Sequence, residues 1–155
     1  MLVVPESLIN EVLTDVVEMY LKPKFIELGM NASGRWLRSL EIRTSLNRGE
    51  IWGMDYTQYL VNGRRPGNRP PIAPLVEWVQ NKFGYVGQQA TSTAFAVANK
   101  IAKEGTEYYP DGTDLLEVLN SREVTDFINN RIGEYILEDT KLQFERMVKR
   151  TLITV

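Results

Sequence analysis

The sequence predicts an α+β fold: a small antiparallel sheet, in essence one β-hairpin, packed with an N-terminal helix, two mid-chain helices and a long C-terminal helix. Three observations carry this prediction. Apolar residues recur at three- and four-residue steps near the N-terminus, the period drops to two between Leu40 and Leu46, and helical spacing returns over a long stretch after Ser121. The 155 residues are 43% hydrophobic and 25% charged and include seven Tyr, five Phe and three Trp, enough apolar surface for a packed core. No internal repeat or long linker divides them, so residues 1–155 read as one domain, with 114–150 as a C-terminal helical extension.

Taken in order, Leu8, Ile9, Val12, Leu13, Val16, Val17, Tyr20 and Leu21 define one face of an amphipathic helix that starts at Ser7. Pro23 lies inside the pattern and is expected to break or kink it, leaving Phe25, Ile26 and Leu28 to a second turn that ends at Gly29. Leu40, Ile42, Thr44 and Leu46 then alternate with polar residues as one face of a half-buried strand. Asn47-Arg48-Gly49 predicts a turn with Gly49 at positive φ, and Glu50 to Met54 a return strand. Tyr56, Tyr59 and Leu60 fit a short helix closed by Asn62-Gly63.

Residues 63–71 combine Gly63, Gly67, Pro66, Pro70 and Pro71 with three arginines, the composition of an exposed loop. Pro74 opens a helix with Leu75, Val76, Trp78, Val79 and Phe83 on its face and Gly84 at its end. After a polar connector at 87–89, Ser92 is expected to cap a helix with Ala94, Val97, Ala98, Ile101 and Ala102 in one stripe and Gly105 beyond it. Asp114 and Glu117 have capping-box spacing for a short helix through Leu119, and Ser121 can cap the long helix to Arg150. The β-branched end, 151–155, reads as strand.

The chain contains neither Cys nor His, which excludes disulfides, zinc fingers, haem ligation and Cys- or His-based catalysis; no cofactor or metal site and no enzymatic activity are expected. A formal charge of -2 gives no overall pull toward nucleic acid or membrane. The N-terminal sequence lacks a basic, signal-like start, and no run reaches the length of a membrane span, so an intracellular, soluble protein is expected.

Two charged features stand out. Arg64, Arg65 and Arg69 present planar, permanently charged forks suited to carboxylates or phosphates, while the nearby rings Tyr59 and Trp78 read as core. Glu107 to Asp139 holds nine acids against Arg122 and Arg131. Within it Glu117, Glu123, Asp126, Glu134 and Glu138 offer an acidic face complementary to the arginines, so copies of the chain could dock head to tail and close a ring. Neighbouring Glu138 and Asp139 face different directions on a helix and do not form a catalytic pair. Asp111 to Asp114 lacks the alternating acids of a calcium loop.

The ordered set of Tyr56, Tyr59, Gly63-Arg64-Arg65-Pro66, a Pro-rich gap, the Trp78 helix and the helix ending in Gly105-Thr106 resembles the tail-completion, or neck (head-to-tail connector), proteins of tailed bacteriophages. The likeness covers roughly Ser33 to Thr106, about half of the chain. It departs at Val61, where many relatives are expected to carry an acid. The resemblance implies a structural virion protein made in the host bacterial cytoplasm. It would form a six- or twelve-fold homo-oligomeric ring at the portal–tail junction, with other neck, portal and tail proteins as neighbours and viral DNA passing through the lumen. The alternative from residue chemistry is a cytoplasmic nucleic-acid-binding module that uses the 63–71 basic loop.

Overall fold

The computed structural model describes residues 3–153 and has the α+β class: those residues form seven α-helices and one two-stranded antiparallel sheet, against which the first helix packs. The chain opens with α1 (Glu6–Val16), a π-helical turn (Val17–Leu21) and α2 (Lys22–Glu27) in unbroken succession. The expected break at Pro23 is therefore corrected. Proline removes the N–H that would bond the carbonyl four residues back, and its ring crowds that carbonyl. The wider turn ahead of it absorbs both effects, with the Lys22 N–H reaching back to the Val17 carbonyl. The rod ends as expected at Gly29, φ +67°, where the Gly29 and Met30 N–H groups donate to Ile26 and Phe25 carbonyls.

A short helix that the periodicity did not reveal, α3 (Arg35–Ser39), leads into β1 (Glu41–Ser45) and β2 (Arg48–Trp52). Ile42 pairs with Ile51 and Ser45 with Arg48, so the turn is Leu46-Asn47, with Asn47 at φ +54°. Two expectations change here. Gly49 lies within β2, not at positive φ; a Cβ there would sit 2.5 Å from both Ile9 and Leu13, so glycine lets α1 lie directly on the hairpin. Leu46, assigned to the apolar face, is 58% exposed at the turn.

α4 (Thr57–Asn62) ends at Gly63, and α5 (Ile72–Phe83) at Gly84. α6 (Gly87–Glu104) starts five residues before Ser92, so the connector at 87–89 is helical and Ser92 is an interior residue. The reason is packing. Ala90, Ala94 and Ala98, at four-residue spacing, are fully buried, and Ala90 and Ala94 cluster with Val79 of α5; beginning the helix at Ser92 would discard the first of these contacts. The main core joins Val17, Leu21, Phe25, Trp36 and Leu115, with Phe25 and Trp36 stacked at 4.8 Å.

The Asp114 box does not form. A 3₁₀ turn (Glu117–Asn120) takes the place of the short α-helix, and the Asp114 carboxylate binds Lys24 at 2.6 Å instead. Ser121 does cap α7 (Arg122–Ile153), its Oγ accepting from the Val124 N–H at 3.3 Å. α7 continues through Ile153, which corrects the strand expected at 151–155 as far as residue 153; 154–155 lie outside the described residues. A helix already under way gains a hydrogen bond with each added residue, and that outweighs the modest strand preference of β-branched side chains.

Candidate functional site

The basic loop is built onto the end of α6. The Arg64 N–H donates to Thr106 Oγ1 at 2.7 Å and the Thr106 N–H returns a bond to the Arg64 carbonyl at 2.9 Å. The Gly67 N–H reaches the Ala102 carbonyl at 2.9 Å, satisfying one of the acceptors that a helix end leaves open. Two glycines make this approach possible. A Cβ on Gly105 would lie 2.6 Å from the Arg64 carbonyl oxygen, and one on Gly63 would lie 2.5 Å from the Tyr109 nitrogen. Both have positive φ with extended ψ, a combination essentially confined to glycine.

The expectation of a wholly exposed loop is thus corrected at Arg64, which is half-buried. Its guanidinium lies 5.7 Å from the Tyr59 ring centre and donates to the Asn68 carbonyl at 3.1 Å. Arg65 and Arg69 are exposed and, among the described residues, make no ion pair. The structure also corrects the reading of the rings as core: Tyr59 is 45% exposed and Trp78 half-buried. Both rings line a cleft of about 970 Å³ between the α5–α6 hairpin and the N-terminal body, together with Trp36, Tyr56, Tyr108 and Lys100. Burial raises the phenol pKa values of Tyr56 and Tyr108. The Tyr108 hydroxyl donates to the Leu28 carbonyl at 2.9 Å. Across the cleft Arg35 pairs with Glu77 at 2.8 Å and Lys82 donates to the Gly29 carbonyl at 3.1 Å.

The loop at 108–113 fastens the other side. Thr113 donates from its N–H to the Val61 carbonyl and from its hydroxyl to the Leu60 carbonyl, at 2.6 and 2.8 Å, closing the end of α4. The motif segments therefore meet in space: Gly63-Arg64 against Gly105-Thr106, with residues 108–113 behind them.

Of the acidic candidates, Glu117, Glu123, Asp126, Glu134 and Glu138 are all exposed. Asp126 has Arg122 at 3.6 Å. The acids are not gathered at the arginine loop; four of the five sit on α7, which packs against α1 and the 3₁₀ turn. Arg131 anchors that packing by pairing with Glu11 and with Asp15, and these partners raise its pKa. Tyr20 meets Phe127 at 5.8 Å beside it.

Sequence reasoning missed the second half of α7 as a surface. From Lys141 to Arg150 every residue is exposed, including Leu142 at 50% and Phe144 at 61%, and Leu137 just before them is 72% exposed. A signal was present: apolar residues continue beyond Ile136 at Leu137, Leu142, Phe144, Met147 and Val148. No family model, curated protein or solved structure matches the chain.

Proposed function

We propose that this chain is a structural subunit of a ring at the portal–tail junction of a tailed bacteriophage, with a mechanical role around the passing genome. The observation that carries the reading is the exposed second half of α7. Residues 137–150 extend α7 with apolar side chains open to solvent, a surface of the kind that marks a protein contact. Such a form suits a subunit whose surfaces are completed by neighbours.

Two further features support it. The segments carrying the resemblance pack on one another through Gly63, Arg64, Gly105 and Thr106, so they act as one structural device. Exposed cations at Arg65 and Arg69 and exposed acids at Glu117, Glu123, Glu134 and Glu138 lie on different elements, as head-to-tail docking between copies requires.

Negative-stain microscopy of the purified chain tests the proposal, with annular particles expected. Arg65→Ala with Arg69→Ala should leave the fold intact, shifting stability by within about 0.5 kcal/mol, but reduce the yield of rings. A monomer that retards duplex DNA and loses that ability in the double variant would overturn the proposal in favour of a nucleic-acid-binding module.

A further inference from the structure

We infer that the distal half of α7 pairs with the same segment of a second copy of this chain, antiparallel, about a two-fold axis near Gln143. At about 100° per residue, Val124, Ile128, Arg131 and Tyr135 share the side of α7 that faces the body. Val124 is buried, Ile128 and Tyr135 are half-buried, and Arg131 holds Glu11 and Asp15 there. Leu137, Phe144 and Val148 fall on the opposite side, at seven- and four-residue steps, and are 72%, 61% and 40% exposed. This stripe does not continue the core seam. It is a second seam with coiled-coil spacing, turned away from the molecule.

Charge identifies what covers it. Arg122 to Asp139 carries five acids against two cations, whereas Lys141 to Arg150 carries four cations against Glu145 alone. Parallel pairing would set like halves together, Lys141 beside Lys141 and Glu138 beside Glu138. Antiparallel pairing lays the acidic half of each helix toward the basic half of the other. With the axis at Gln143, Leu137 of each copy meets Val148 of the other, the two Phe144 rings meet near the centre, and Lys141 faces Glu145 twice. Among the described residues neither Lys141 nor Glu145 makes an ion pair within its own chain, so both are available for these contacts. One stripe and one charge gradient satisfy themselves in this arrangement and need no other partner surface. The inference shares with the ring reading the exposure of α7: ring closure would use the bodies, and this arm joins a copy in a second ring, so cross-linking through α7 and ring formation can fail separately.

The absence of native cysteine makes single introduced thiols unambiguous reporters in the full-length protein. Under mild oxidation, Phe144→Cys should cross-link to itself. Leu137→Cys alone should not, and an equal mixture of Leu137→Cys with Val148→Cys should give the mixed dimer, because disulfides require Cα atoms within about 7 Å. Lys141→Glu should weaken association roughly tenfold, and adding Glu145→Lys should restore it. Self-linking of Leu137→Cys, absence of linking by Phe144→Cys or in the mixed pair, or failure of the double charge reversal to restore association would each overturn the inference.

Discussion

Replacing Gly105 by alanine tests whether the basic loop is truly built onto the end of α6. Gly105 has φ +84° and ψ -175°, and an added Cβ would stand 2.6 Å from the Arg64 carbonyl oxygen and 3.2 Å from Pro66. Adopting this backbone costs a non-glycine residue about 1–3 kcal/mol. The carbonyl must also move, which disrupts the reciprocal bonds between Arg64 and Thr106, at about 1 kcal/mol each. The expected loss is about 3–5 kcal/mol. Gly84 supplies the control: its φ is +71°, but nothing lies within 4 Å of an added Cβ, so alanine there costs only about 1–2 kcal/mol. For a chain of this size each kcal/mol lowers Tm by about 2–4 °C. Thermal unfolding should therefore place Gly105→Ala several degrees below Gly84→Ala. Equal melting temperatures for the two variants would refute the claim that contact with Arg64, rather than backbone conformation alone, requires a glycine.

Two further outcomes follow from the core and its edge. The indole N–H of buried Trp36 donates to Thr57 Oγ1 at 2.9 Å, so Thr57→Val should cost about 1–3 kcal/mol by urea unfolding while Thr57→Ser recovers most of it; equal losses would show that the hydroxyl is not what Trp36 requires. The hydrogen bond and charge of Lys24 lower the Asp114 pKa below its ordinary 3.8, so the ionised pair stabilises the fold above that value, and the contribution disappears as pH falls through the lower, folded-state value. Lys24 is correspondingly raised above 10.5, and its share is lost only as pH rises past that raised value. Asp114→Asn should flatten the acid limb of the urea midpoint against pH and leave the neutral region nearly level; an unchanged acid limb would mean that other carboxylates set it.

The fold class was legible because its strongest signals are local. The alternation from Glu41 to Ser45 and the three- and four-residue steps through Val12 and Val16 each mark one inward face: the structure buries Val12 and Val16 and half-buries Ile42 and Thr44. What local pattern could not supply was tertiary compensation. Pro23 reads as a helix breaker until a π turn absorbs its ring, Gly49 reads as a turn residue until α1 lies on it, and Ser92 reads as a cap until Ala90 is needed against Val79. Asp114 had the correct spacing for a cap, yet a lysine ninety residues earlier in the chain took its carboxylate. The exposed charges of the candidate site were visible in the sequence, since Arg65, Arg69 and the five acids all reach solvent. The docking of Arg64 on Thr106 was not, because no periodic pattern records a contact across forty-two residues.

Sedimentation velocity of the full-length chain, run at low and high salt, tests the central claim that copies of this molecule assemble into a ring. The account predicts a discrete species whose mass is six or twelve times that of the 17.8 kDa chain, or twice that where the α7 arms join two rings, and which falls apart as ionic strength rises, because opposed charged faces lose attraction when screened. A single 17.8 kDa species, or nothing larger than a pair at any salt concentration and at protein concentrations up to the solubility limit, would contradict it.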